Sequence, residues 1–432
     1  MAMVMNIKRR NFLNMAAVGA AALIFPAKAA STGSWQGWKR GHFQIHSIYT
    51  GFGESMFLIF PDGTTLLLDC GDFDAQKRGE LAMPPMPDAS RHAGEWIARY
   101  VQRVNPNGKD VDYMTISHFH RDHMGTALWH SKVLQRGGRP YYLSGFSEAA
   151  EFLHFRKAID RTGGVFDGSE LFAPSANRFE YLIECMYGHL KARDGLEVQK
   201  FRVGAKDQIV PLRGEVKDFQ VRNICGNGKV ALADGTIIDT LRPKGKFVAK
   251  WNENLLSIGS IFSYGKFRFY TAGDLSGCAI GQDKKRIWPE YDLAKAVDGH
   301  VSVAKANHHA YKCMVPHLVR ALQAKVYTVC TWDVLHCTDD SLERLTSPAN
   351  QKNKPLIVPG YFAQSRCTDA NSAARKCFPK EIYGGIHSVI DVPPGGETFT
   401  VSLIDARNED MNVLSSQKFI SAHGGVSEEN LT

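Results

Sequence analysis

The fold is decided by one short stretch, Ser117-His118-Phe119-His120-Arg121-Asp122-His123-Met124-Gly125. Residues 111–117 form a short apolar run, which predicts a β-strand leading into it. Two histidines that are two positions apart at a strand end face the same side, so His118 and His120 are expected to point together. Asp122 and His123 follow within the next turn. Imidazole and carboxylate groups are ligands of Zn²⁺, and the stretch therefore predicts a zinc site.

The spacing of these side chains is rare by chance. Histidine occupies 16 of 432 positions, and a chance H-x-H-x-D-H is expected in roughly one chain in a thousand of this composition. The alternative interpretation, a solvated loop rich in histidine, is weaker for that reason. The nine cysteines include no C-x-x-C pair, so a cysteine zinc ribbon or a thioredoxin-type site is not indicated.

An H-x-H-x-D-H segment after a strand resembles the metallo-β-lactamase-fold hydrolases, and the resemblance covers about 43–345. It implies an α/β protein built as a four-layer αββα sandwich. Two shorter segments match the family in the expected order, Leu68-Asp69-Cys70-Gly71 and Phe269-Tyr270-Thr271-Ala272-Gly273-Asp274. The resemblance implies that Asp69 supports the metal ligands by hydrogen bonding. It also implies that Asp274 bridges two cations.

A further segment, Ala306-Asn307-His308-His309, stands where the family places its last histidine ligand. We favour His308 for this role, with His309 as the alternative that the sequence does not separate from it. The resemblance then implies two zinc ions, with Mn²⁺ or iron as alternative metals. The predicted ligands are His118 and His120 for the first ion, Asp122, His123 and His308 for the second, and Asp274 between them.

Other segments resemble the ComEC-type competence-protein hydrolase domains within this family. Gly51-Phe52-Gly53-Glu54-Ser55 is similar to their opening motif, with Glu54 in place of an aspartate. Asn254-Leu255-Leu256 is similar to their Asn-Ser-Leu segment, which makes Asn254 a candidate for supporting or binding the metal. Many relatives carry one more histidine before the bridging aspartate, but His154 and His189 lack its usual setting. The first cation is then expected to be bound by three protein groups and water, or to be weakly occupied.

The resemblance implies metal-dependent hydrolysis by a metal-bound hydroxide. Asp122 and His336 are the predicted catalytic residues, and His336 donates a hydrogen bond to the oxyanion or protonates the leaving group. A structural role is the alternative for His336. The ComEC-type segments imply phosphodiester cleavage, of a small molecule or of nucleic acid. Amide or lactone hydrolysis, as in β-lactamases, is the alternative, followed by a non-catalytic binding protein on the same fold.

The first residues predict an export signal, 1–29, that is removed from the mature chain. Lys8, Arg9 and Arg10 precede an apolar run over 15–25, and Ala27-Lys28-Ala29 fits a signal-peptidase site. The paired arginines resemble a twin-arginine signal, which implies the twin-arginine export machinery as a partner and a periplasmic or secreted location. The apolar run is shorter than the about 20 residues of a membrane-spanning helix. No later run is long enough, so no transmembrane domain is expected in the mature chain.

Residues 30–432 are predicted to form one hydrolase domain in which strands alternate with helices. Residues 147–194 are expected to be mostly helical, so a largely helical insertion is predicted at about 145–250. A strand at 397–404 is expected to close the edge of a sheet. The formal net charge of +8 includes four basic residues and no acidic residue in 1–29, which leaves +4 for 30–432. This is only a weak attraction for nucleic acid.

Overall fold

The computed structural model describes residues 33–73, 83–126, 132–165, 177–241, 252–280, 286–333, 335–362 and 384–422. The predicted export signal at 1–29 lies outside these residues. Within the described part of the chain, no helix is both long enough and apolar enough to cross a membrane.

The strands have the following bounds in chain order: β1 (Phe43–Ser47), β2 (Ser55–Ile59), β3 (Thr65–Cys70), β4 (Asp110–Thr115), β5 (Lys132–Arg136), β6 (Arg139–Leu143), β7 (His154–Asp160), β8 (Glu197–Lys200), β9 (Phe219–Gly226), β10 (Lys229–Ala231), β11 (Ile237–Asp239), β12 (Gly259–Tyr264), β13 (Phe267–Thr271), β14 (Ala279–Ile280), β15 (Arg286–Ile287), β16 (Val303–Lys305), β17 (Val326–Val329), β18 (Leu356–Pro359), β19 (Tyr361–Phe362), β20 (Gly384–Val392), β21 (Thr398–Asp405) and β22 (Val413–Ile420). The helices are α1 (Ala93–Val104), α2 (Arg121–Met124), α3 (Phe146–Ala149), α4 (Asn177–Asp194), α5 (Pro289–Ala296), α6 (Pro316–Leu322) and α7 (Asp339–Thr346). Two 3-10 turns occupy Glu253–Leu256 and Asn307–Ala310.

Most strands belong to two large mixed sheets. The first sheet has the order β22-β21-β20-β1-β2-β3-β4-β7-β8, and β19 also pairs with β20. The second has the order β11-β10-β9-β12-β13-β16-β17-β18. In the first sheet β3, β4, β7 and β8 run parallel to their neighbours in that series. In the second sheet the series from β13 to β18 is parallel.

Three apolar clusters separate four layers. One cluster fills the space between the sheets and includes Phe43 and Phe262. A second lies between the first sheet and α1, α3 and α4, and a third between the second sheet and α5, α6 and α7. Strand β3 shows why its sequence is apolar throughout: Leu66 and Leu68 enter the cluster between the sheets, whereas Leu67 enters the cluster under the helices. A strand covered on both faces has no solvated side on which to place polar residues.

Two predictions from the sequence are corrected by the structure. Within the region 147–194, which was expected to be mostly helical, residues 154–160 instead form β7, which extends the first sheet beside β4. Most of the described helical residues of the predicted insertion lie in α4. Strand β8 belongs to the first sheet, and β9 belongs to the second. The strand at 397–404 is present as β21, but it pairs on both sides, and β22 forms the edge instead. The alternating pattern of β22 is weak because its middle is exposed.

The two sheets bring their parallel strand ends to one place. Asp69 lies at the carboxyl end of β3, and the H-x-H-x-D-H stretch follows the neighbouring β4. In the second sheet Asp274 follows β13, and the turn Asn307–Ala310 follows the parallel strand β16. Because the carboxyl ends of parallel strands meet at one edge, each sheet contributes half of a common site.

Candidate metal centre

Four side chains from the two sheets meet at one point. Asp274 Oδ2 lies 3.1 Å from His123 Nε2 and 3.1 Å from His309 Nε2. Asp122 Oδ2 lies 3.1 Å from His309 Nε2 and 3.5 Å from His123 Nε2. Ligand atoms about 2.0–2.2 Å from a Zn²⁺ ion are about 3.3–3.6 Å apart at tetrahedral angles. The four side chains are therefore as close together as the ligands of one cation.

Both imidazoles are oriented by a hydrogen bond on the far side of the ring. His123 Nδ1 donates to Asp69 Oδ2 at 2.8 Å, and His309 Nδ1 donates to the Cys330 carbonyl oxygen at 2.7 Å. The neutral rings then have their lone pairs on Nε2, facing the carboxylates. Lone pairs and carboxylates at this distance need a positive charge between them, either protons or a cation. The donor set fits a divalent metal ion.

The proton affinities of the cluster lead to the same conclusion. Burial alone would lower the pKa of His123, but the carboxylates of Asp274 and Asp122 raise it well above its usual value. The same balance of burial and carboxylates raises the pKa of His309 to about 9. Burial would raise the pKa values of Asp122 and Asp274, yet His123 and His309 hold both well below the usual range. Without a cation the cluster keeps protons on its histidines, and a cation would replace them.

Besides orienting His123, Asp69 also holds Ser117, the first residue of the motif stretch. Its Oδ1 accepts the Ser117 backbone N–H at 2.7 Å, and its Oδ2 accepts the Ser117 hydroxyl at 2.6 Å. Two residues later Gly71 lies against the backbone of Asp122, where a Cβ atom would collide with the carbonyl oxygen. The Asp-x-Gly pattern is thus explained by one supporting carboxylate and one close backbone approach.

His118 and His120 form the other half of the site. His118 Nε2 lies 3.1 Å from His120 Nδ1 and 3.9 Å from Asp274 Oδ2. Burial, followed by the neighbouring His123, lowers the pKa of His118 well below its usual value, so its ring is neutral and has a lone pair to offer. His154 and His189 are not near these two rings. His154 contacts Asp110 on the surface, and His189 contacts Arg136.

The structure places His309, rather than His308, in the cluster. The His308 ring instead lies beside Asn254, with 3.1 Å between His308 Nε2 and the Asn254 amide nitrogen. The sequence could not separate the two because the backbone here is unusual. His308, His309 and Ala310 all have φ near +50°, a left-handed conformation that costs non-glycine residues of order 1–3 kcal/mol each. The favoured ligand, His308, remains a prediction, and the geometry supports the alternative.

Glu290 stabilises the turn that contains His308 and His309. Its carboxylate accepts the backbone N–H groups of Met314 and Val315, at 3.0 and 2.8 Å, and the Asn307 side-chain amide at 2.8 Å. Burial raises the pKa of Glu290 to about 7 although these donors oppose the rise. The turn that delivers His309 is therefore stabilised by a buried carboxylate from α5.

A buried ion pair that the sequence analysis did not identify lies behind Asp274. Lys305 Nζ is 2.8 Å from Glu54 Oε2 and 3.5 Å from Asp274 Oδ1, and both residues of the pair are fully buried. Burial alone would lower the pKa of Lys305, but Glu54 and Asp274 hold it above its usual value, so the amine is charged. A lysine inside the apolar run before His308 was the available signal. Glu54, His123, Asp274 and His309 also have ligand atoms within 4.8 Å of one another.

A second buried ion pair supports the turn between the two motif histidines. Glu253 Oε1 accepts the Phe119 backbone N–H at 2.9 Å. Arg161 donates to both oxygens of the same carboxylate, and its guanidinium lies 4.4 Å from the centre of the Phe119 ring. No local sequence signal marks these residues, because they come from the end of β7 and from the 3-10 turn before β12.

One cavity of about 350 Å³ opens onto the cluster. The candidate metal-binding side chains that line it form one side, together with Asn254, His308 and His336. Its full lining within the described residues is Phe73, His120, Arg121, Asp122, Asn254, Asp274, His308, His309, Tyr311, Trp332, Asp333, Leu335 and His336. All predicted site residues except Asp69, His118 and His123, which are buried behind the others, therefore face this space.

His336 lies at the edge of the cluster. Its ring stacks on His309 with 4.5 Å between ring centres. The Trp332 backbone N–H donates to His336 Nδ1 at 3.4 Å, so the neutral ring carries its proton on Nε2. Burial, followed by the nearby His309, holds the pKa of His336 well below its usual value. The ring is suited to donate a hydrogen bond as a neutral group.

Comparison with known proteins agrees with this geometry. A family model of the metallo-beta-lactamase superfamily matches residues 49–134, which contain β2 to β4 and the whole H-x-H-x-D-H stretch. No curated protein matches the chain. The sheets flanked by helices are those of the metallo-β-lactamase fold, so the predicted fold class is confirmed. The superfamily consists mostly of hydrolases that bind zinc, although some of its proteins are not catalytic.

Proposed function

We propose that the protein is a metal-dependent hydrolase. The observation that supports this best is the arrangement of His123 and His309. Each ring donates from Nδ1 to a protein acceptor and turns Nε2 towards Asp274 and Asp122 at the wall of an open cavity. A purely structural cluster would not need two oriented imidazoles at a carboxylate pair that lines a cavity.

The donor geometry suggests how two cations, zinc by preference, would be held. His118 and His120 would hold the first, and Asp122, His123 and His309 the second, with Asp274 shared by both. Such ions supply Lewis-acid activation of water and neutralise charge that develops on the substrate. The ligands of the second site come from both sheets. Asp69 and the Cys330 carbonyl keep its two imidazoles in the correct tautomer.

The chain's own contribution to bond cleavage is assigned to Asp122 and His336. The Asp122 carboxylate faces the cavity and is ionised, so it can accept a hydrogen bond from the attacking water and orient it. His336 presents Nε2–H to the substrate and donates a hydrogen bond to the oxygen that gains charge. In the overall reaction the water oxygen bonds to phosphorus, one P–O ester bond breaks, and the leaving oxygen takes up a proton.

We infer phosphodiesters as the substrate class from the ComEC-type segments around Glu54 and Asn254. Asn254 and His336 both line the cavity, and Glu54 pairs with Lys305 behind it. We further propose that 1–29 direct export through the twin-arginine machinery to the periplasm or beyond. The hydrolase domain would then comprise 30–432, with the insertion within 145–250.

The test is metal content and hydrolysis measured on the same preparations. Zinc is quantified in the full chain and in an Asp122→Ala, His123→Ala double variant, and each is assayed with bis-p-nitrophenyl phosphate and nitrocefin. We expect bound zinc and phosphodiester cleavage that the double variant loses. Turnover of nitrocefin alone would favour amide hydrolysis. Absence of bound metal, with no activity after zinc or manganese is added, would leave a non-catalytic protein.

A further inference from the structure

One side of the cavity is apolar and begins directly at the metal-binding side chains. Phe73, Trp332 and Leu335, here called the aromatic wall, line the cavity together with Asp122, Asp274 and His309. The Phe73 and Trp332 rings are tilted by 31° with 4.8 Å between their centres. Leu335 is 46% exposed at the cavity mouth. An apolar surface beside a polar cluster in one cavity marks a candidate site for a ligand that has both an apolar and a charged part.

The position of the aromatic wall relative to the cluster is fixed. Trp332 Nε1 lies 3.3 Å from His309 Nε2, and the indole stands edge-on to His336 with 4.8 Å between ring centres. Trp332 is only 6% exposed. The wall therefore starts within one ring width of the side chains that would hold the second cation.

The size of the cavity limits what can occupy it. Its volume of about 350 Å³ is at the lower end of the roughly 300–1,000 Å³ found for small-molecule sites. A ligand with one ring and one phosphoryl group fits within such a space. Aromatic side chains favour a flat ring over a chain of similar area because the two π-systems stack in offset or tilted arrangements.

We propose that the substrate carries an aromatic ring on the group next to the scissile bond, and that this ring packs against Phe73 and Trp332. That the ligand is a substrate rests on the proposed function, whereas the site for the ring is defined by the aromatic wall alone. The chemical class is an aryl or nucleobase-bearing phosphate ester. Phe73 is then a residue that determines specificity, since it lines the cavity and would contact the ring without being one of the predicted metal ligands.

The first experiment measures binding and needs no turnover. Phenylphosphonate and methylphosphonate have the same charged head, and their affinities for the zinc-loaded chain are compared by titration calorimetry. Stacking of one base or ring on aromatic side chains predicts that phenylphosphonate binds about 5- to 150-fold more tightly. Phe73→Ala is expected to remove most of this preference. Phe152→Ala, at a half-buried phenylalanine outside the cavity lining, is the matched control and should retain it.

The second experiment uses two diesters with the same leaving group, bis-p-nitrophenyl phosphate and methyl p-nitrophenyl phosphate. The two diesters differ only in the group that stays on phosphorus after cleavage, so the ratio of their kcat/KM values measures the contribution of the retained aromatic ring. Phe73→Ala should reduce this ratio. Equal binding of the two phosphonates, or a preference that Phe73→Ala leaves intact, would overturn the ring site even if both diesters are cleaved. A clear phenyl preference without cleavage of either diester would support the ring site and reject phosphodiester hydrolysis.

Discussion

Arg161 and Glu253 form a two-point ion pair directly behind the turn that separates His118 from His120. The Arg161 Nε and Nη2 atoms lie 2.6 and 2.8 Å from the two carboxylate oxygens, and both side chains are about 3% exposed. The same carboxylate accepts the Phe119 backbone N–H. The carboxylate of this charge pair therefore holds the backbone between the two motif histidines.

Removal of one charge from this pair should destabilise the protein strongly. Arg161→Met leaves the Glu253 carboxylate buried and unpaired, and we expect a loss of about 3–5 kcal/mol in the free energy of unfolding. Urea denaturation of the metal-free chain measures it. The double variant Arg161→Met, Glu253→Gln removes both charges of this pair and should recover part of the loss. A loss below about 1 kcal/mol in the single variant would show that the pair is not needed.

His309 and His308 should differ in their effect on metal content. His309→Ala removes an imidazole from the cluster, so we expect a loss of about one zinc per chain by elemental analysis. His308→Ala removes a ring that contacts Asn254 instead and should retain the metal. The reverse pattern would establish His308 as the ligand and would require the Asn307–Ala310 turn to adopt another conformation.

The stability of the metal-free chain should fall as the pH rises. The folded-state pKa values of His123 and His309 are raised, to about 9 for His309, and the unfolded value is about 6.5. A raised pKa stabilises the fold fully below the unfolded value, and that stability is lost as the pH passes through the folded value. Denaturation at pH 6.5 and pH 9 measures the decrease. Added Zn²⁺ should remove it, whereas a pH-independent stability would contradict the protonated cluster.

Lys305 should matter most when no metal is bound. Lys305→Met leaves Glu54 buried without its cation, and the expected loss in the free energy of unfolding is about 3–5 kcal/mol. Lys305→Met, Glu54→Gln is the matched double variant and should be milder. Because the remaining carboxylates attract a cation more strongly once the ammonium is gone, Zn²⁺ should raise the melting temperature of Lys305→Met more than that of the wild type. An equal shift of the melting temperature in both proteins would show that Lys305 does not affect metal binding.

His336→Gln should reduce kcat without a loss of zinc. The ring is proposed to donate to the developing charge rather than to bind metal, and the loss of such a donor costs about 10²–10³-fold. Steady-state kinetics on bis-p-nitrophenyl phosphate and zinc analysis of the same sample check this. An unchanged kcat would assign His336 the structural role that its stacking on His309 also allows.

The fold and the core of the site were predictable because their determinants are local. The H-x-H-x-D-H stretch, Asp69 and Asp274 each stand at a strand end that apolar patterning marks. The supporting pairs were not predictable, since Arg161 and Glu253 are 92 positions apart and meet only when both sheets have formed. The choice between His308 and His309 depends on consecutive left-handed residues, which no periodicity reveals. Strand β7 was predicted as helix because it lies in a stretch that is helical further on.

The division of the site between the two sheets has a mechanical consequence. Residues 118–123 belong to one half of the sandwich, whereas Asp274 and His309 belong to the other. A cation bound to both is a reversible cross-link across the protein's midplane, and at 1,000 times its Kd it adds about 4 kcal/mol of stability. Separation of the sheets would first require its release. Resistance to proteolysis should then increase with the concentration of zinc. A chelator would destabilise the fold as well as inhibit the protein.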